Sequence, residues 1–207
     1  MSRLARTERL RLVSAARRAG EDAPTLCEGW STRDLATHLV IRERHPVAAL
    51  GIFLPGFGDR RESQEQAYAT MPYAQLLGLV AAPPRWNPAA WPGADKLVNT
   101  TEFLVHHEDI RRAEFEWFPR RLSRSENDEV WAQCRLALIP YATKSESRVE
   151  IVSSGFGSQS AGRAGGGRGR RASEPDAPTT VITGEPVEIL LYLMGRESHA
   201  LVDVRTG

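Results

Sequence analysis

The chain holds two cysteines among 207 residues, Cys27 and Cys134, and they do not form a CxxC pair. That scarcity argues against a disulfide framework and against a cysteine-type zinc site, and it fits a reducing compartment. Net charge is nearly absent, because 27 Lys and Arg offset 26 Asp and Glu to leave +1. Neither nucleic acid nor an anionic membrane is expected as a partner on that balance. No run approaches 18 apolar residues, so no membrane span is expected. The opening MSRLARTERLRLVSAARRAG is broken throughout by Arg and Glu and lacks the apolar core of a signal peptide, so a cytoplasmic location is expected. What is present is a hydrophobic content of 41%, ample for a core in one ordinary domain with a small appendage.

The periodicities divide the chain near residue 143. Before it they predict helices over Ser2–Ala19 with a stop at Gly20, over Ser31–Glu43 with Ser31 and Asp34 as a capping box, and over Glu62–Ala82 with a break near Pro72. Two more are predicted over Ala94–Phe115 and from Ser123 or Ser125 to about Tyr141. Pro55–Gly58 reads as a loop, and Pro83–Gly93, with four prolines and two tryptophans, as an ordered loop or lid. Residues 144–207 read as a small α+β segment. Its strands are expected at Arg148–Ser153, Thr179–Ile182 and Leu201–Val204, with a helix over Glu185–Met194. A Gly/Arg-rich loop at about 160–178 contains GRAGGGRGRR, Gly162–Arg171, read as an insertion without assigned function.

One helix carries a polar stripe where apolar residues belong. With Glu102 at zero on a wheel of 100° per residue, Asp95, Asn99, His106 and Asp109 fall within about 60° of it. Val98 and Val105 flank the stripe on one side, Phe103 and Ile110 on the other. Acids, amide and imidazole hemmed in by apolar residues must be paired or metal-bound, because an unsatisfied buried polar group costs about 1–3 kcal/mol. His107 falls on the opposite side with Thr100, Glu108 and Arg111 and reads as exposed.

Glu102 and His106, one turn apart, need a third ligand to hold a divalent ion. His38, on or beside the apolar side of the second predicted helix, is the candidate. Two imidazoles and one carboxylate suit Zn²⁺ with an open fourth position, although the same set on another geometry holds Fe²⁺, Mn²⁺ or Ni²⁺. Arg42, one turn beyond His38, fits either a clamp on an anionic substrate or a partner for a stripe carboxylate. Asp109 and Asn99 are read as residues supporting the ligands, Asp109 alternatively as an ion-pair partner of Arg112. Asp34 reads as helix-start chemistry, His45 as surface, and Cys27 as a small buried thiol or a residue approaching the metal.

The segment Leu26–Leu39 (LCEGWSTRDLATHL) resembles the opening of the DinB-like family, closest to the metal-binding domain of mycothiol-dependent maleylpyruvate isomerases. Asn99–Ala113 (NTTEFLVHHEDIRRA) resembles that family's later helix and, over its HHEDIRRA end, an actinobacterial subgroup of metal-binding relatives. Gly184–Arg196 resembles the helix of a sterol-carrier-like C-terminal domain. The resemblance implies a mainly α fold: a DinB-like four-helix bundle over 1–143 followed by the small α+β segment. It maps a metal triad onto His38, Glu102 and His106, and places a basic residue of the tail, for which Arg196 is the candidate, at the substrate or thiol. It implies zinc or another divalent ion, with mycothiol as cosubstrate and a small electrophile as substrate, in a monomer or homodimer that isomerises or transfers. A metal-assisted hydrolase and a non-catalytic metal-binding or stress protein are the other readings of the same scaffold.

Overall fold

The computed structural model describes residues 2–45, 58–82, 84, 94–162 and 178–207, without the side chains of 58–63 and 94–98. The loop expected at Pro55–Gly58 (up to Gly58), nearly all of Pro83–Gly93, the Gly/Arg segment beyond Gly162 and the side chains of Asp95 and Val98 lie outside the described residues. The chain forms two compact units, Met1–Pro119 and Arg120–Gly207.

The first unit is helical: α1 (Arg3–Ala19), α2 (Thr32–Arg44), α3 (Gly58–Ala69), α4 (Tyr73–Ala81) and α5 (Ala94–Arg112). Ser2 opens α1 by accepting the Ala5 N–H, and Gly20 ends it at φ +92°, a left-handed conformation that costs glycine little. Ser31 and Asp34 cap α2 reciprocally, as their spacing predicts. Four helices share one core, in which Leu12 of α1, Leu35 and Leu39 of α2, Leu76, Leu77 and Val80 of α4, and Phe103 and Ile110 of α5 are buried. Across it Arg9 of α1 forms an ion pair with Glu43 of α2, donates to the Val80 carbonyl of α4 at 2.7 Å and lies over the Phe103 ring.

The stripe helix is polar and buried on more than one side. Asn99 and Asp109 are buried on the stripe face, as expected, and so are Thr100, His107 and Glu108 elsewhere on the helix. His107 is therefore not exposed. α1 runs parallel to α5 on that side, joined by Ser2 Oγ to Thr100 Oγ1 at 3.1 Å and by Glu8 Oε2 to His107 Nδ1 at 2.9 Å. Glu108 takes Arg111 and Arg112, the latter through Nε at 2.7 Å, so Arg112 is Glu108's partner. The signal was in α1: Glu8 stands four residues from both Leu4 and Leu12, inside the apolar stripe.

The second unit contains α6 (Arg124–Lys144), β1 (Arg148–Ser153), β2 (Gly157–Ala161), β3 (Thr179–Thr183), α7 (Pro186–Leu193) and β4 (Asp203–Thr206). Its sheet has the order β2-β1-β3-β4, with β1 and β3 parallel and the outer pairs antiparallel. The expected division at 143 falls in the last turn of α6, whereas the compact units divide at 119–120. The reason is packing: α6 lies on α7 and touches β1 and β2. Strand β2 (GSQSA) was not foreseen, since a polar edge strand lacks apolar alternation and is held by its ladder to β1. The last strand begins two residues later than expected, because the Leu201 N–H donates to the Glu188 carboxylate at 2.9 Å instead of to a neighbouring strand.

Candidate metal centre

Helical spacing puts Glu102 and His106 on one face of α5, and antiparallel α2 brings His38 and Arg42 opposite them. The antiparallel relation is read from the pairs: His38 meets Glu102, while Arg42, one turn on, reaches back to Asn99. Glu102 Oε1 lies 3.0 Å from His38 Nε2, 3.4 Å from His106 Nε2 and 3.4 Å from Arg42 Nε. The side chains of His38, Glu102 and His106 are 15%, 21% and 12% exposed, so the cluster is sheltered yet reachable. Trp30 packs on His38 with ring centroids 5.2 Å apart, and the His38 and His106 rings meet edge to face.

Each flanking residue has a definite task. Asp109 is fully buried, and its Oδ2 is 2.8 Å from His106 Nδ1. An ionised carboxylate only accepts, so Nδ1 carries the proton and Nε2 is turned toward Glu102 and His38. Arg42 pairs with the stripe, donating through NH1 to Asn99 Oδ1 at 2.8 Å. Cys27, half-buried, sits beside the cluster, with Sγ donating to Asp109 Oδ2 at 3.3 Å. Asp34 serves the α2 cap, and His45, half-buried, pairs with the Tyr68 hydroxyl at 2.8 Å. Arg196 lies in the second unit, where NH1 donates to the Met194 carbonyl at 2.6 Å.

The electrostatics follow from this crowding. Burial by itself would raise the Glu102 carboxyl, but hydrogen bonds from His106 and His38 and the charge of Arg42 hold it well below the usual range. Burial would likewise lower His106, yet its bonds to Asp109, Cys27 and Glu102 push it well above the usual imidazole value. The protonated ring would present an Nε2–H toward Glu102 Oε1, 3.4 Å away, on the side where a cation would sit.

The donor set fits a divalent ion. Ligand atoms about 2.0–2.1 Å from a tetrahedral zinc stand about 3.3 Å from one another. The distances of 3.0 and 3.4 Å bracket that value, and all three donor atoms lie within 4.8 Å of one another. A cleft of about 510 Å³ reaches His38, lined among others by Gly29, Trp30, Thr37, Glu65 and Gln66. Its volume is that of a ligand site. Sequence reasoning passed over this cleft, because α3 contributes one wall and its approach to α2 is a tertiary fact.

No curated protein and no solved structure matches the chain. Residues 2–97 match the family described as the mycothiol maleylpyruvate isomerase N-terminal domain; this stretch contains His38 and ends just before Glu102. Over that span the chain is similar to the DinB-like family that its sequence resembles.

Proposed function

We propose that this protein is a zinc-dependent, mycothiol-using isomerase or S-transferase for a small electrophile, with His38 Nε2, Glu102 Oε1 and His106 Nε2 holding the ion. The observation that supports it is the convergence of two imidazoles and one carboxylate at ligand spacing, beside a cleft of about 510 Å³. The chemistry that a divalent ion supplies there is the lowering of a thiol's pKa, which makes it a nucleophile at neutral pH.

The chain's own residues complete the task. Asp109 fixes the His106 ring and its tautomer, so that Nε2 is available without reorientation. Arg42 keeps Glu102 ionised and adds positive charge beside the donors. A divalent ion, one carboxylate and one guanidinium sum to a positive site, which favours an anion in the fourth position over neutral water. That balance supports a thiolate or a carboxylate-bearing substrate there. Trp30 covers one face of His38 and limits water there.

Metal analysis of the wild type beside His38→Ala and His106→Ala is the first test. A near-stoichiometric divalent ion in the wild type and its loss in both variants is expected; full metal content in either variant would overturn the ligand set. A turnover assay on the zinc-loaded protein with mycothiol and small electrophiles then tests the reaction. Stoichiometric zinc with no thiol-dependent turnover would leave a metal-binding protein in place of the enzyme.

A further inference from the structure

The His106 ring has two working edges. Nε2 faces Glu102, while Nδ1 faces a different pair of metal-ligating atoms, Asp109 Oδ2 at 2.8 Å and Cys27 Sγ at 3.9 Å. Sγ and Oδ2 are themselves 3.3 Å apart, so three donor types converge on one point. We propose that Cys27, His106 and Asp109 form a second cation site, selective for thiophilic ions, on the edge of the ring remote from Glu102. It stands independently of whether the first trio holds zinc.

The geometry needs small adjustment. Bonds of about 2.3 Å to sulfur and about 2.0–2.1 Å to nitrogen and oxygen put tetrahedral ligand atoms about 3.4–3.6 Å apart. The three distances scatter around that range, and a shift of about half an ångström in the Cys27 and Asp109 side chains reaches it. Cys27 is not there by the chance placement of a floppy loop. The Leu26 N–H donates to the Asp109 carbonyl, the Trp30 N–H to the Cys27 carbonyl, and the Cys27 N–H to Thr25 Oγ1, while Pro24 and Ser31 bridge the loop ends. These bonds seat the thiol over the last turns of α5 at Asp109.

The chemistry is a proton-for-cation exchange. On binding, the thiol proton of Cys27 and the Nδ1 proton of His106 leave to solvent, and bonds to sulfur, nitrogen and carboxylate oxygen replace them. A soft thiolate in the set favours Cd²⁺, Cu⁺ or Zn²⁺ over Mg²⁺ or Ca²⁺. The two sites are coupled through the ring. A tautomer with Nδ1–H presents Nε2 to the first trio, and one with Nε2–H presents Nδ1 to the second, so a thiophilic ion at Cys27 weakens the hold at Glu102.

Cadmium titration of the full chain, stripped of metal by chelator, tests this through the ultraviolet thiolate-to-cadmium charge-transfer band, which requires a Cys–Cd bond. One equivalent of band is expected in the wild type, in Cys134→Ser and in His38→Ala, with its loss, or affinity at least tenfold weaker, in Cys27→Ser. No band in the wild type, an unchanged band in Cys27→Ser, or its disappearance in His38→Ala would overturn the proposal; the last would mean that Cys27 serves the first trio. Alkylation needs no variant: one equivalent of Cd²⁺ should slow iodoacetamide labelling of Cys27 at least tenfold, and an unchanged rate counts against the site. Cys134 gives no competing signal, since it is fully buried and burial pushes its thiol up. Zinc content of Cys27→Ser beside the double variant Cys27→Ser/His38→Ala reports the first trio alone, so the two readings fail separately.

Discussion

Glu102 is an acceptor shared by three cationic or potentially cationic partners, His38, His106 and Arg42. Its folded pKa is depressed, so its contribution to stability is full above the unfolded carboxylate value and is lost as pH falls through the folded one. His106 has the opposite sign. Its folded pKa is raised, so its contribution is complete below the unfolded imidazole value of about 6.5 and is lost as pH rises through the folded value. Thermal melts of the metal-free protein should therefore fall off at both ends of the pH range. In His106→Gln the alkaline decline should flatten; an unaltered profile would refute the assignment. His107 is the control. His107→Ala should keep full metal content while losing about 1–3 kcal/mol in denaturant unfolding, because Glu8 loses one buried hydrogen-bond partner.

Among the elements, α5 explains both the success and the failure of reading faces from a wheel. The i, i+4 relation of Glu102 and His106 follows from helical geometry in any fold, so that part of the candidate site was legible. The fate of His107 was not, because a wheel assigns sides without saying which sides are covered. α1 covers the far side of α5, and a polar residue there is buried with a partner instead of solvated. The same helices are tied by the Arg9–Glu43 pair, both residues at most 2% exposed, which joins α1 to α2 and, through Val80, to α4. Glu43→Ala strands a buried guanidinium and should cost about 3–5 kcal/mol by urea unfolding. A cost below about 1 kcal/mol would mean that water reaches Arg9. The helix start at Ser31 was legible, since both halves of its capping box stand three residues apart, whereas Ser123 and Ser125 were equal candidates and the structure places the cap at Ser123 with Glu126.

For the whole molecule, the division into Met1–Pro119 and Arg120–Gly207 places every proposed ligand in the first unit. Metal binding should thus stabilise that unit alone, by about 2.7 kcal/mol at a free ion concentration a hundred times Kd. Calorimetry with and without chelator should show one transition moving down and another staying; a common shift of both would mean that the units unfold as one. No helix among the described residues is long and apolar enough to cross a membrane, in keeping with the absence of long apolar runs. The amino-acid sequence by itself determined the helix periods, the caps, the glycine stop at Gly20 and the shared face of Glu102 and His106, because each depends on neighbours within a few residues. It also carried the family resemblance, through Leu26–Leu39 and Asn99–Ala113. Tertiary structure decided the rest. It laid α2 antiparallel to α5 so that His38 meets Glu102, set Cys27 against Asp109, buried His107 on Glu8, and moved α6 from the bundle to the sheet. Those outcomes rest on contacts between residues tens of positions apart, and such contacts are chosen by which faces can be covered together, which no local pattern encodes.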